Sequence, residues 1–127
     1  MRKLTGHKVN ECNEAIEINV MDEPGSGGAC HHYHIDGPMR KVGGEQAPSF
    51  RVDIRFQNGP IKEVGVNGIT QEALLEICVD RLRSFQAGPY ACRDNAVALT
   101  YIETAQMWLQ KRTRERLARG VEGTHTV

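Results

Sequence analysis

Long apolar runs are missing from this 127-residue sequence. Nothing in it approaches the ~20 consecutive apolar residues that cross a bilayer, so a membrane-spanning role is not expected. An excess of charge of either sign is missing as well. Sixteen Lys and Arg stand against sixteen Asp and Glu, which argues against a general nucleic-acid coat, because such proteins carry a basic excess over a whole face. Any basic site must be local. The opening "MRKLTGHKVNEC" lacks the apolar centre of a signal peptide, and a cytoplasmic location is the expectation. Cys12, Cys30, Cys78 and Cys92 have no CxxC spacing and read as reduced free thiols, with packing roles for Cys78 and Cys92. "GSGG" is not followed by the lysine and hydroxyl residue of a phosphate loop, and no nucleophilic triad is visible. Asp94, Glu103 and Glu115 read as ordinary solvated helix charges, which leaves acid–base catalysis without support.

What the chain does contain is two halves with different periodicity, an α+β arrangement within a single domain. Its length is enough for one core with little to spare. From about residue 14 to 68 the pattern is β. "AIEINVMDE" alternates Ile16, Ile18 and Val20 with Glu17 and Asn19, "PGSGG" turns the chain, and "ACHHYHID" returns with Tyr33 and Ile35 on one face. "MRKVGGEQAP" reads as an exposed loop, "SFRVDIRFQNG" as a further strand, and "IKEVGV" as a weaker fourth one. The whole predicts a small antiparallel sheet.

From about residue 69 to 120 the period becomes helical. Thr70 is placed as an N-cap, and Leu74, Ile77, Cys78, Leu82 and Phe85 mark one face until "GPY" ends the helix. A second helix starts near Cys92 to Asp94 and meets no breaker before Gly120, roughly 27 residues and about 40 Å. The two form an antiparallel hairpin with a long second helix, followed by a tail over 121–127. Leu99, Ile102 and Leu109 lie on one stripe of that helix, and Val97, Tyr101, Ala105 and Trp108 on another. One partner helix cannot cover both stripes, so a homo-oligomer of paired subunits is expected.

Cys30, His32 and His34 share one face of a strand, but the fourth zinc ligand has no recognisable spacing. The group reads as strand surface, with no metal expected. The end of the long helix is different. Lys111, Arg112, Arg114, Arg116 and Arg119 crowd into nine residues answered only by Glu115. Arg112 and Arg116 are four apart and Arg119 three further on, a row of forked donors suited to phosphate oxygens. Favourable placement at the negative end of a helix accounts for one or two such cations and leaves the row unexplained. Phe85, able to stack on a base, and Asn95 complete the parts of a nucleotide site. Within one hairpin they sit at the loop end, about 25 Å from the arginines. Two antiparallel subunits bring them together.

The run "FQNGPIKEVGVNGITQEALLEICVDRLRSFQAGPYACRDNAVALTYIETAQMWLQKRTRERLARGVEGTH" resembles phage proteins of the Thoeris anti-defence sponge family, whose helical hairpin is shared with a smaller anti-CBASS sponge. "FQAGPYACRDNAVALT" and "WLQKRTRERLARGVEGTH" are its most specific parts. The resemblance implies a non-enzyme that holds a cyclic nucleotide immune signal intact, in the cytoplasm of the infected bacterial host. The implied ligand is a cyclic ADP-ribose isomer bound between paired subunits of a hexamer. Some relatives take CBASS cyclic di- and trinucleotides in a separate pocket. By the same motifs Phe85 stacks on a base, Asn95 contacts the ligand, and Arg112 and Arg116 hold the pyrophosphate, with Arg119 and Thr124 as further candidates. Asp94 stands where glutamate is expected in many relatives. An enzyme hydrolysing the same signal, and an oligomeric nucleic-acid binder, are the alternatives.

Overall fold

Alternating apolar and polar residues build the N-terminal half. In the computed structural model, which describes Met1–Val127, the strands are β1 (Arg2–Leu4), β2 (Glu17–Val20), β3 (His32–Asp36), β4 (Met39–Val42), β5 (Glu45–Pro48) and β6 (Arg51–Arg55). A one-turn helix, α1 (Glu11–Glu14), precedes β2, capped by the Asn10 side chain on the Asn13 amide. The order β1-β2-β3-β6 makes an antiparallel four-stranded sheet. Val20, Tyr33 and Ile54 face one another across three strands, and Ile18, Ile35 and Val52 form the next row. Val20 and Ile54 are buried, and Tyr33 meets the Phe56 ring edge to face at 5.6 Å. The alternate residues Glu17, Asn19, His32, His34, Asp53 and Arg55 consequently share the other, polar face. Residues 66–69 return to this unit, where Ile69 bridges Phe56.

The β half begins earlier than the expected residue 14, because β1 and α1 precede β2, and two further segments differ from the sequence-based expectation. "MRKVGGEQAP" is a hairpin, with β4 and β5 paired only with each other around Gly43 and Gly44, both at positive φ as a tight hairpin turn demands. Every residue of β4 is exposed, so no buried face imposed the alternation that would mark a strand. "IKEVGV" is one turn of helix, α2 (Ile61–Val64), bounded by Pro60 and Gly65. Four residues are too few to express a helical period.

The second unit comprises Pro60–Gly65 and Thr70–Val127. Helix α3 (Gln71–Gln86) starts on the Thr70 hydroxyl, which accepts from the Ala73 amide at 3.2 Å. Helix α4 (Arg93–Arg119) runs for 27 residues and ends at Gly120, whose left-handed φ of 73° is available to glycine at little cost. The two pack as a hairpin, tied across by Arg83 to Glu103 at 2.7 Å and Gln106 to Glu76 at 3.0 Å. No helix is long and apolar enough to cross a membrane.

On α3 the expected Leu74, Leu82 and Phe85 are half-buried, but Ile77 and Cys78 do not belong to the packed face. Val79 is fully buried, flanked at helical spacing by the half-buried Leu75 and Leu82, whereas Ile77 is 66% exposed and Cys78 is exposed. Their apolar character invited the inward assignment, but the spacing 75, 79, 82 answers α4's half-buried Leu99, Ile102, Gln106 and Leu109. Cys92 is also exposed and does not pack; its Sγ accepts the Asn95 amide at 3.4 Å and so caps α4. All four cysteines are free. The second stripe of α4 is uncovered, with Tyr101 at 71% and Trp108 at 61% exposure.

Candidate functional site

The basic end of α4 divides into cations that are satisfied and cations that are not. Lys111 pairs with Glu115 one turn on and lies 5.5 Å from the Trp108 ring centre. Arg116 turns inward and is buried. Beyond Gly120 the chain reverses, and Arg116 Nε donates to Glu122 at 3.1 Å, one Nη to the Thr126 carbonyl at 2.6 Å, and the other to the Val121 and Thr124 carbonyls at 2.9 and 3.2 Å. Of the five N–H groups that an arginine carries, these bonds leave little unspent. Arg119 donates to the Val127 carbonyl at 2.6 Å. The Thr124 hydroxyl donates to the Val121 carbonyl and accepts the Thr126 amide, which tightens the same turn. The tail is also pinned to α2, through the Lys62 amide on the Gly123 carbonyl and through His125 beside Glu63.

Arg112 and Arg114 are the exceptions, and Arg112 is the one on the uncovered stripe. It is exposed and makes no hydrogen bond or ion pair within the chain, and it sits one turn beyond Trp108 on the uncovered stripe. Arg114 is exposed as well. A guanidinium with all its donors free beside an indole can accept a planar anion and an aromatic ring together.

Phe85 and Asn95 stand on either side of the hairpin turn, which Gln86 and Cys92 close with reciprocal bonds of 3.0 and 3.1 Å. The half-buried Phe85 ring carries the Arg81 guanidinium 5.0 Å from its centre and the Tyr90 ring edge-on at 6.4 Å. Arg81 and Tyr90 escaped notice in the sequence, although Arg81 is one helical turn before Phe85, a spacing that signals contact. The Asn95 side-chain amide has no partner in the chain. Seventeen residues of α4, about 25 Å at 1.5 Å per residue, separate Asn95 from Arg112. The protomer thus gathers Arg116, Arg119 and Thr124 around its tail and Phe85 near Asn95 at its turn, but it does not join the two groups.

On the sheet, Cys30 is not aligned with the histidines in function: its thiol points to the Asp22 carbonyl at 3.4 Å. His32 and His34 instead bring Nε2 to the same oxygen of Asp53, at 2.6 and 3.1 Å. The His32 contact, with Arg55 on the other carboxylate oxygen, holds the Asp53 carboxyl below its ordinary range.

Residues 51–114 match the family model described as the Acb2/Tad1 hairpin domain, a span that contains α3 and most of α4. Over 94 residues the chain is 45% identical to a protein named Thoeris anti-defense 1 from Bacillus phage SBSphiJ7. That alignment takes in 74% of this chain and 66% of the phage protein, so the chain spans just under two thirds of the relative's length. On the matched hairpin and this identity, the chain belongs to the Acb2/Tad1 hairpin-domain family, as its two most specific motifs led one to expect.

Proposed function

We propose that this protein is a phage anti-Thoeris protein that binds a cyclic nucleotide immune signal, of the cyclic ADP-ribose isomer type, and holds it unaltered in the cytoplasm of the infected host. The observation that carries this reading is Arg112, an arginine with every donor free, one turn from an exposed tryptophan on an uncovered helix stripe. In a family whose member is named for defeating Thoeris, a free anion site of this kind is best explained by a phosphate-bearing ligand.

Two antiparallel subunits, assembled into a hexamer, set one chain's Arg112 beside the other's Phe85 and Asn95. Phe85 stacks on a base, Asn95 hydrogen-bonds to the ligand, and Arg112 takes the pyrophosphate with the N–H that Arg116 has left. Arg119 and Thr124 act by keeping the tail folded around Arg116. No residue in this arrangement is assigned to bond cleavage, so the ligand leaves as it came.

The test is to mix the purified protein with a lysate from cells whose TIR enzyme has been triggered, remove unbound small molecules by filtration, heat the protein, and identify what it releases by mass spectrometry. An intact cyclic ADP-ribose isomer, depleted from the filtrate and returned by heating, is the expected outcome. Depletion with only linear products returned makes the protein a hydrolase. No depletion refutes this ligand class and makes cyclic di- and trinucleotides the next probes.

A further inference from the structure

The polar face of the sheet holds a cluster that the nucleotide reading does not use. His32 and His34, two apart on β3, point to one face. In the ladders, Asp53 of β6 lies directly opposite His34 on one side and Asn19 of β2 directly opposite it on the other. Directly opposed residues share a face, so these four side chains occupy one patch. The two imidazoles stand perpendicular, 5.0 Å between centres, with both Nε2 atoms on Asp53 Oδ1. One donor atom from each of His32, His34 and Asp53 falls within 4.8 Å of the others.

That spacing suits a metal ion. Bonds of about 2.0–2.2 Å in tetrahedral geometry separate neighbouring donor atoms by roughly 3.3–3.6 Å; the two contacts on Asp53 Oδ1, at 2.6 and 3.1 Å, are shorter, and side-chain shifts of about 1 Å or less open them to that spacing. An ion-pair network also accounts for the contacts among His32, His34, Asp53 and Arg55, but it leaves the Asn19 side chain without a purpose. Arg55 Nε donates to Asp53 Oδ2 at 3.1 Å, fixing the carboxylate with Oδ1 turned to the histidines, as partners of metal-binding carboxylates do. Asn19 Oδ1 is buried and has no hydrogen-bond partner. An orphaned buried acceptor costs about 1–3 kcal/mol, and beside a three-ligand site it is placed to receive a metal-bound water.

We propose that His32, His34 and Asp53 bind one divalent transition-metal ion of the zinc type, with the fourth position left to a water held by Asn19. Two imidazoles and a carboxylate select against magnesium and calcium, which prefer all-oxygen cages. The ion cross-links β3 to β6, strands separated in sequence by the β4–β5 hairpin. This site is independent of the arginines of α4 and stands or falls apart from them.

The test is titration of the full chain, first stripped with a chelator, with Zn²⁺ and with Co²⁺. Saturation at one ion per chain is expected, together with the intense visible absorption of tetrahedral Co²⁺ and a Tm that rises with excess ion. His34→Gln and Asp53→Asn, which keep hydrogen-bonding capacity, each weaken binding by at least about tenfold. Arg112→Ala binds the ion as the unaltered chain does. Should Asp53→Asn fail to fold, having lost its hold on Arg55, His34→Gln decides alone. The proposal is overturned by an absence of saturable binding, or by unchanged affinity in His34→Gln.

Discussion

On the four-stranded sheet, Asp36 receives Arg51 through two bonds of 2.6 and 3.0 Å, Glu17 receives Lys8 at 3.0 Å and Lys3 at 3.5 Å, and Asp53 is shared by His32, His34 and Arg55. On the long helix, Arg112 and Arg114 stand exposed with no partner, and Tyr101 and Trp108 lie uncovered. The Asp36 and Asp53 carboxyls are held below their ordinary range by the donors beside them, whereas nothing in the chain answers Arg112. The two units therefore stand at different stages of completion. Arg2 apart, the sheet meets its own charges within one chain, while the helical unit presents both charge and apolar surface to something outside it. The proposed site, with its parts at the two ends of a 27-residue helix, rests on that incompleteness.

The comparison breaks first at Arg112. If its free guanidinium meets a phosphate in a desolvated interface, Arg112→Ala removes about 2–5 kcal/mol of ligand affinity, roughly 30-fold or more, with the oligomer intact. Calorimetric titration with the released cyclic nucleotide measures it, and an affinity within twofold of the unaltered chain makes the free arginine mere surface. Trp108→Glu comes next. Placing a carboxylate on the uncovered stripe should cost the subunit contact about 2 kcal/mol or more, as at aromatic anchors of interfaces generally. Sedimentation at several concentrations then shows smaller species, whereas an unchanged mass means that this stripe is not the contact.

Arg116 lies between the extremes, a cation of the helical unit handled as the sheet handles its charges. Arg116→Ala strands the Thr124 and Thr126 carbonyls and the Glu122 carboxylate, while the Val121 carbonyl keeps the Thr124 hydroxyl, a loss of about 1–3 kcal/mol that falls on the tail. Amide exchange over 121–126 should accelerate while the middle of α4 keeps its protection. Unchanged exchange in the tail would show that the bonds to Arg116 do not order it.

How much of this was legible beforehand follows from the range of each signal. Thr70 and Gly120 act on backbone groups within a turn, and so both helices could be bounded from the sequence. The β4–β5 hairpin escaped because its exposed strands carry no alternation, and α2 because four residues cannot show a period. In α3 the mean apolarity of Ile77 and Cys78 outweighed the rhythm 75, 79, 82, which only the partner helix makes visible. The arginine row was legible as chemistry, but the burial of Arg116 depends on a chain reversal after Gly120 that sets carbonyls around it. The pairing of Asp53 with His34 required the register between β3 and β6, which no local pattern encodes across the hairpin between them.

The smallest effect separates the two helix starts. Thr70 presents a hydroxyl oxygen to the Ala73 amide at 3.2 Å, and Cys92 presents a sulfur to the Asn95 amide at 3.4 Å. Sulfur is the weaker acceptor, so the two caps should respond with opposite signs. Thr70→Ala should lower stability by about 1 kcal/mol, and Cys92→Ser should raise it by a few tenths to about 1 kcal/mol. The midpoint of denaturant unfolding, read at unchanged slope, measures both. A thiol kept for packing predicts the reverse, because serine would then lose apolar contact and the midpoint would fall. A rise for Cys92→Ser shows that this end of α4, like its Gly120 end, is set by backbone groups within one turn and not by packing of the thiol.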